Sequence, residues 1–339
     1  MKDRILRWIW RWSLAPVLEV VYAAGLAVIY ALYRVRILRR HRLPVKVVSV
    51  GNLTWGGTGK TPLVLFLARQ LKQRGWRVAV LTRGYGKDES QLLTERLAPI
   101  PVLVGPDRLA NGKKAIEQHN ANLLLLDDGY QQWRLIKDIE ILMVNEGSPW
   151  GSGHLIPRGI LREPVWAGRR ADLVMMKQSS PDPSAAVWTE VHLRAALIDA
   201  PLFQMGYTVA LLREWPGGAT LPPSSLKGQR VATLAGIAAP TQFEATVRSL
   251  GASVPVHFRV RDHHPYTAQE LVRMVQRCQR NQIDRLVTTA KDAVRLHSFF
   301  IDLLKEHAPQ FKILIVEIEP WFKPDESQLL HRIDTLLAR

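Results

Sequence analysis

A chain of 339 residues with 47% hydrophobic content is long enough for two α/β domains with real cores, and it excludes a disordered protein. Its single cysteine, Cys278, set among Arg273, Arg277 and Arg280, leaves no disulfide framework and no cysteine-based zinc site, as suits a reducing compartment. The formal charge of +16 first suggests nucleic acid, but half of it lies in the first 46 residues, where ten Lys or Arg face only Asp3 and Glu19; the remainder lacks the aromatic-interleaved basic stripe of a single-strand binder, so no nucleic-acid partner is expected.

At the amino-terminus Ile5, Trp8, Ile9 and Trp12 recur at helical spacing beside Arg4, Arg7 and Arg11. This is the pattern of a basic amphipathic helix lying in a membrane interface, which Pro16 is expected to end or kink. Residues 20–33 carry no charge, a stretch short for a full span, and Arg34, Arg36, Arg39, Arg40 and Arg42 follow. Tryptophans and tyrosines at both ends with a polybasic exit suit an anchor in anionic lipid. Pro16, Glu19 and the arginines stand where a secretory signal would carry small residues for cleavage. A buried core helix is the other alternative.

The largely apolar run 45–50 leads into Gly51-Asn-Leu-Thr-Trp-Gly-Gly-Thr-Gly-Lys-Thr-Pro62 and then a helix over about 62–74. Strand, glycines, Gly-Lys-Thr and helix in that order describe a nucleotide phosphate loop formed by Thr54, Trp55, Gly56, Gly57, Thr58, Gly59, Lys60 and Thr61. Its glycines let backbone N–H groups curl around phosphate oxygens, Lys60 reaches the β- and γ-phosphates, and the Thr61 hydroxyl can hold Mg²⁺. A strict motif has glycine where Thr54 stands.

Strands are expected at 78–82, ending in Arg83-Gly-Tyr-Gly86; at 101–104, before Gly105-Pro-Asp-Arg108 and a helix over 109–120; at 122–126, ending in Asp127-Asp128; and at 139–144 and 171–176. Alternation of strands with helices predicts a doubly wound parallel sheet of the P-loop NTPase kind, with ligands at the carboxyl ends of its strands. Asp127 and Asp128 form an acidic strand terminus where one carboxylate can hold Mg²⁺ opposite Thr61, or can cap a helix. Arg83, Arg108 and Arg162 can clamp phosphate oxygens in bidentate fashion or serve as salt-bridge partners. The expected organisation is an anchor over 1–42, a phosphate-loop domain over 43–206, a Pro-, Gly- and Ser-rich linker over 207–228, and a smaller α/β domain over 229–339, whose last helix can pack back on the first.

Several short motifs occur together along the chain: Val50-Gly-Asn-Leu-Thr before Gly56-Gly-Thr-Gly-Lys-Thr-Pro, Arg83-Gly-Tyr-Gly, Gly105-Pro-Asp-Arg, Asp127-Asp-Gly-Tyr-Gln, Leu161-Arg-Glu-Pro, Leu234-Ala-Gly-Ile-Ala, Asp262-His-His and Thr288-Thr-x-Lys-Asp. In content and order they resemble the tetraacyldisaccharide 4′-kinases of lipid A synthesis. The resemblance implies transfer of the ATP γ-phosphoryl group to the 4′-hydroxyl of a lipid-linked glucosamine disaccharide 1-phosphate, by a monomer at the cytoplasmic face of an inner membrane. It also implies Asp88 as catalytic base, paired with His263, whose imidazole Asp262 can orient. Lys291 and Asp292 are left between a nucleotide contact and a brace. The chain departs from the family pattern in a short segment between Tyr85 and Asp88 and at Ser90, Gln132 and Ala290. Two other classes compete, a membrane-bound P-loop switch ATPase and a nucleotide-binding lipid sensor without catalysis. The first is disfavoured by Trp55, where many partitioning ATPases carry a lysine before Gly-Gly.

Overall fold

The computed structural model describes residues 14–84, 87–178, 184–237, 239–261, 264–296, 304, 308 and 310–339, with side chains throughout these except at 87–89. The helix expected around Trp8, Asp262, His263 and the side chain of Asp88 lie outside the described residues. The chain divides into two compact units: Met1–Gly84, Leu97–Gly206 and Pro320–Arg339 in one, Tyr85–Arg96 and Tyr207–Glu319 in the other.

In the first unit, helix α1 (Ala15–Arg34) begins with Pro16 in its first turn. In that position the missing N–H costs α1 no helical hydrogen bond, and the helix expected before Pro16 lies outside the described residues. The helix is long and apolar enough to cross a membrane by length and composition. It has two unlike faces. Leu26 is buried, and Tyr22, Ala23 and Tyr30 pack beside it on a core containing Leu53, Tyr130, Leu142, Trp150 and Leu161. Val17, Val20, Val21 and Val28 are exposed.

Strands β1 (Lys46–Gly51), β2 (Val78–Thr82), β3 (Val102–Val104), β4 (Leu123–Asp127), β5 (Ile139–Asn145), β6 (Leu173–Lys177) and the start of β7 (Leu202–Trp215) form a parallel sheet in the order β3-β2-β4-β1-β5-β6-β7. Every residue of β2 and β4 is buried, as expected of parallel strands covered on both faces. Helix α2 (Lys60–Gln73) joins β1 to β2 and buries Leu63, Val64, Leu67, Ala68 and Leu71, one apolar stripe at helical spacing. Helix α3 (Lys87–Leu97), which belongs to the second unit up to Arg96, follows β2 in the chain, and in the first unit α4 (Arg108–His119) starts at Asp107, whose carboxylate accepts from the N–H groups of Leu109 and Ala110. Helix α5 (Ser184–Ala195) precedes β7. Insertion of β4 between β2 and β1 brings the ends of β1 and β4 side by side, with Val50 in register with Asp127.

The chain enters the second unit within β7, and the far part of that strand pairs antiparallel with β8 (Thr220–Leu221). Residues 207–228, expected as a linker, are therefore built into a sheet. The glycines and prolines that suggested a linker sit in the turn over 216–219 and the 3-10 turn Pro223–Leu226, while Leu212 and Leu226 are core residues. Strands β9 (Arg230–Ala235), β10 (Ser253–Arg259), β11 (Arg285–Thr289) and β12 (Lys312–Lys323) pair in parallel in the order β10-β9-β11-β12. Helix α6 (Pro240–Ser249) links β9 to β10. Helix α7 (Ala268–Arg280) opens with a reciprocal cap between Thr267 and Glu270 and buries Leu271, Val275 and Cys278. At Pro320, inside β12, the chain returns to the first unit, where helix α8 (Glu326–Leu337) buries Leu329, Leu330, Ile333, Leu336 and Leu337.

Cys278 has no exposed surface, and burial pushes its thiol up to about 12 against a weaker opposing pull from Arg277. The reactive thiolate is then scarce at about pH 8. Folded protein is expected to resist an aromatic disulfide reagent at that pH and to release one equivalent of product only in guanidinium; rapid reaction of native protein would contradict this packing.

Candidate active site

The site grows from the ends of β1 and β4. At Gly51 an added Cβ would stand 2.6 Å from both the Cβ and the backbone N of Tyr130, so the turn after β4 presses directly on the end of β1. Beyond it, Gly56 and Gly59 take positive φ, +128° and +81°, a region closed to most side chains. Gly59 precedes α2, which places Lys60 and Thr61 in its first turn, at the positive end of the helix dipole. Thr58 is buried, and its hydroxyl has no hydrogen-bond partner among the described residues. Gly57 has open space around it, and Trp55 is 68% exposed.

Thr54, in place of the motif's glycine, is buried and pairs with Leu161 in an isolated antiparallel bridge. Its hydroxyl accepts from Asn52 Nδ2 at 3.3 Å. On either side, the Trp55 N–H donates to the Ile160 carbonyl at 2.6 Å and the Arg162 N–H to the Leu53 carbonyl at 2.7 Å. The lead into the glycine-rich loop is thus a short ladder with residues 160–162. A β-branched residue suits that extended backbone, whereas glycine would loosen it.

The ladder delivers Arg162 to the site. Its guanidinium grips Asp128 in a two-pronged pair, at 2.9 and 2.8 Å, and also donates to the Asn52 carbonyl at 2.8 Å and to Asn52 Oδ1. Lys60 Nζ donates to the same Asn52 Oδ1 at 3.1 Å and lies 3.7 Å from Asp128 Oδ1. Asp128 itself adopts φ +54°, directly after the strand. Burial opposes its charge, but the Arg162 hydrogen bonds and the charges of Lys60 and Arg108 outweigh that penalty and hold the carboxyl below the usual range. Asp127, also buried, accepts from Thr82 Oγ1 at 3.4 Å.

The remaining expected residues fall in different places. Arg108 is buried at the start of α4 and donates to the carbonyls of Gly105 and Pro106, so it braces its own loop while its charge bears on Asp128. Arg83 is exposed just beyond β2. Asp88 stands in the first turn of α3.

In the second unit Asp292 is a brace. It has no exposed surface and accepts from the Gly236 N–H at 3.0 Å, Tyr266 at 2.8 Å, Thr289 at 2.6 Å, and Arg295. His264 lies 3.1 Å from Glu270, within the cap of α7.

Three residues of the site were given no role by sequence. Asn52 joins Lys60 to Arg162. Gln131 donates to the Asn52 carbonyl at 3.0 Å and to Glu163 at 2.8 Å. Glu163 has no exposed surface and pairs with Arg170 at 2.8 Å. All three sit inside the quoted motifs, so the signal was present; what was missing was their shared neighbourhood.

A family model described as LpxK, tetraacyldisaccharide-1-P 4′-kinase, matches residues 10–338. The tetraacyldisaccharide 4′-kinase of Syntrophus aciditrophicus is 37% identical, over 93% of this chain and 90% of that protein. The enzyme of the same description from Pelobacter propionicus is 36% identical, over 91% and 88%. The crystal structure of LpxK from Aquifex aeolicus, described as an "apo" form in complex with ATP, is similar with a TM-score of 0.73 at 25% identity, covering 96% of this chain and 99% of that one.

Two measurements follow from the geometry. Gly51→Ala drives a methyl group into the Tyr130 backbone and is expected to destabilise the protein by about 1–3 kcal/mol, read from the urea midpoint. Asp128, with its lowered native pKa, contributes stability above the ordinary carboxylate value near ~4 and loses it as pH falls through the lower native one. The stability gap between wild type and Asp128→Asn should accordingly hold from about pH 8 to about 5 and narrow only below about 4. A gap that closes between about 7 and 5 would mean a raised pKa.

Proposed function

The chain belongs to the tetraacyldisaccharide 4′-kinase family, and from that premise we infer that it moves the γ-phosphoryl group of ATP to the 4′-hydroxyl of a tetraacylated glucosamine disaccharide 1-phosphate. The observation that carries the reading at the level of residues is the meeting of Lys60, Arg162 and Asp128 around Asn52, at the carboxyl ends of β1 and β4. Phosphoryl transfer asks for positioning and charge stabilisation more than for covalent chemistry, and two cations beside a helix N-terminus supply both.

In this scheme the backbone of residues 54–61 cradles the phosphates. Lys60, held at present by one amide oxygen and a carboxylate at 3.7 Å, is free enough to turn to an incoming polyphosphate. Arg162 is held more tightly and fixes Asp128. Thr61 with Asp127 or Asp128 offers one hydroxyl and one or two carboxylates. Such an all-oxygen set fits Mg²⁺, which would neutralise charge on the β- and γ-oxygens; the rest of the shell would come from phosphate and water. Asp88 accepts the proton of the sugar hydroxyl, with His263 and Asp262 in support, and Arg83 and Arg108 contribute positive charge toward substrate phosphates.

The substrate is a lipid, so the apolar face of α1 and the arginines after it attach a monomer to the anionic inner surface of the inner membrane.

Purified protein with labelled ATP, Mg²⁺ and the disaccharide 1-phosphate in detergent is expected to yield labelled lipid; ATP binding without lipid phosphorylation would defeat the reading. Asp88→Ala should lower kcat by about 10² to 10⁴, the usual worth of a general base, and near-normal turnover would remove Asp88 from that role. Arg162→Lys keeps the charge but loses the two-pronged grip on Asp128, so kcat/KM should fall at least about tenfold, in steady-state assays at fixed lipid.

A further inference from the structure

We propose that α1, besides contacting lipid, is a working part of the phosphate site: Tyr30 and Glu19 are positioning residues that hold residues 154–163, and through them Arg162, against the phosphate loop. The proposal rests on the kinase reading for its turnover assay and lies wholly within the first unit.

Glu19, Tyr22 and Tyr30 recur at spacings of three and eight along α1, which puts them on one helical face. A helix selected only to sit in lipid has no use for a carboxylate in that stretch, where an ionised group is costly. Here each polar group engages the segment that ends in Arg162-Glu163. Glu19 accepts from the Leu155 N–H at 2.9 Å and from Arg158 at 3.2 Å, and it lies 3.2 Å from His154 Nδ1. Tyr22 donates its hydroxyl to the carbonyl of Arg162 at 2.8 Å. Tyr30 donates to Glu163 Oε2.

Glu163 passes the constraint on. Its carboxylate has no exposed surface, so every acceptor site must be matched from within the protein. Arg170 donates to both oxygens, at 2.8 and 2.9 Å, Gln131 to Oε1 at 2.8 Å, and Tyr30 to Oε2. Gln131 in turn donates to the Asn52 carbonyl, which Arg162 also grips. A removed Tyr30 hydroxyl leaves a buried carboxylate under-satisfied one residue from Arg162, and the relaxation falls on the groups that set Asn52, Asp128 and Lys60.

The test compares full-length wild type, Tyr30→Phe and, as a control on the same helix, Tyr33→Phe, whose ring rests edge-on against Trp133. ATP affinity is measured by calorimetry, kcat and KM by labelled-ATP assay in detergent, membrane attachment by co-sedimentation with anionic phospholipid vesicles, and folding by thermal melting. Tyr30→Phe is expected to weaken ATP binding by about fivefold and to lower kcat by about tenfold at saturating lipid. KM for lipid and vesicle binding should stay within about twofold, and Tyr33→Phe should match wild type. Wild-type ATP affinity and kcat in a folded Tyr30→Phe protein, or an effect confined to KM for lipid or to vesicle binding, would overturn the coupling and leave α1 as an anchor. If Tyr30→Phe does not fold, Glu19→Gln gives the same readouts, since it keeps an oxygen for the Leu155 N–H and drops the charge facing Arg158. Failure of wild type to phosphorylate lipid would count against the kinase reading alone, because the ATP-affinity comparison still decides the coupling.

Discussion

One guanidinium laid across one carboxylate sets the geometry of the first unit's site. The parallel sheet brings the ends of β1 and β4 together, but strands alone leave their loops free. Arg162 removes that freedom by bonding to Asp128 through two nitrogens and to Asn52 through one of the same pair, so that a loop after β5 ties together the turns after β1 and β4. The planar fork of arginine matters here, since an ammonium could satisfy one of these demands but not their fixed angle. The Asp128 carboxyl, held ionised by the same contacts, then keeps Lys60 nearby without locking it.

The second unit uses a similar buried acid to another end. Asp292, in a Thr-Thr-x-Lys-Asp stretch, gathers the Gly236 N–H, two hydroxyls and Arg295, and so fixes the turn after β9. Asp128 retains a share of exposed surface and a lysine beside it, whereas Asp292 has spent all its acceptor capacity on its own fold. Two acidic residues just beyond strands, Asp128 after β4 and Asp292 three residues after β11, both within short motifs, thus differ in what they leave available. That difference is set by neighbours distant in sequence, 34 residues away for Arg162 and 56 for Gly236.

Local pattern made the glycine-rich turn before α2, the acidic end of β4 and the alternating strands of the first sheet legible in the sequence. An apolar run followed by glycines, or ending in paired aspartates, carries its meaning within a few residues. What could not be read that way depended on tertiary context. Helix α3, Lys-Asp-Glu-Ser-Gln-Leu-Leu-Thr-Glu-Arg-Leu, is too polar to announce itself, and among its described side chains only Leu93 and Leu97 are buried. The long strand β7 contains Gly206 and is followed by the turn over 216–219 and the 3-10 turn Pro223–Leu226, a composition that reads as a linker. Asn52, Gln131 and Glu163 were visible as letters in motifs, yet their roles come from converging across 32 and 79 residues of chain.

The ladder between residues 53–55 and 160–162 has a consequence for biosynthesis. The phosphate loop is made early, but its hydrogen-bonding partners lie more than a hundred residues downstream; Arg162 and Asn52 are separated by 110 positions and Tyr22 and Arg162 by 140. While the ribosome is still translating β2 to β5, the nascent chain therefore holds the glycine-rich loop and the α1 sequence without the residues that Glu19, Tyr22 and Tyr30 bond in the finished fold. Both sets of bonds wait for the segment carrying Arg162 to leave the exit tunnel, so the loop and the helix gain these partners at the same stage of synthesis.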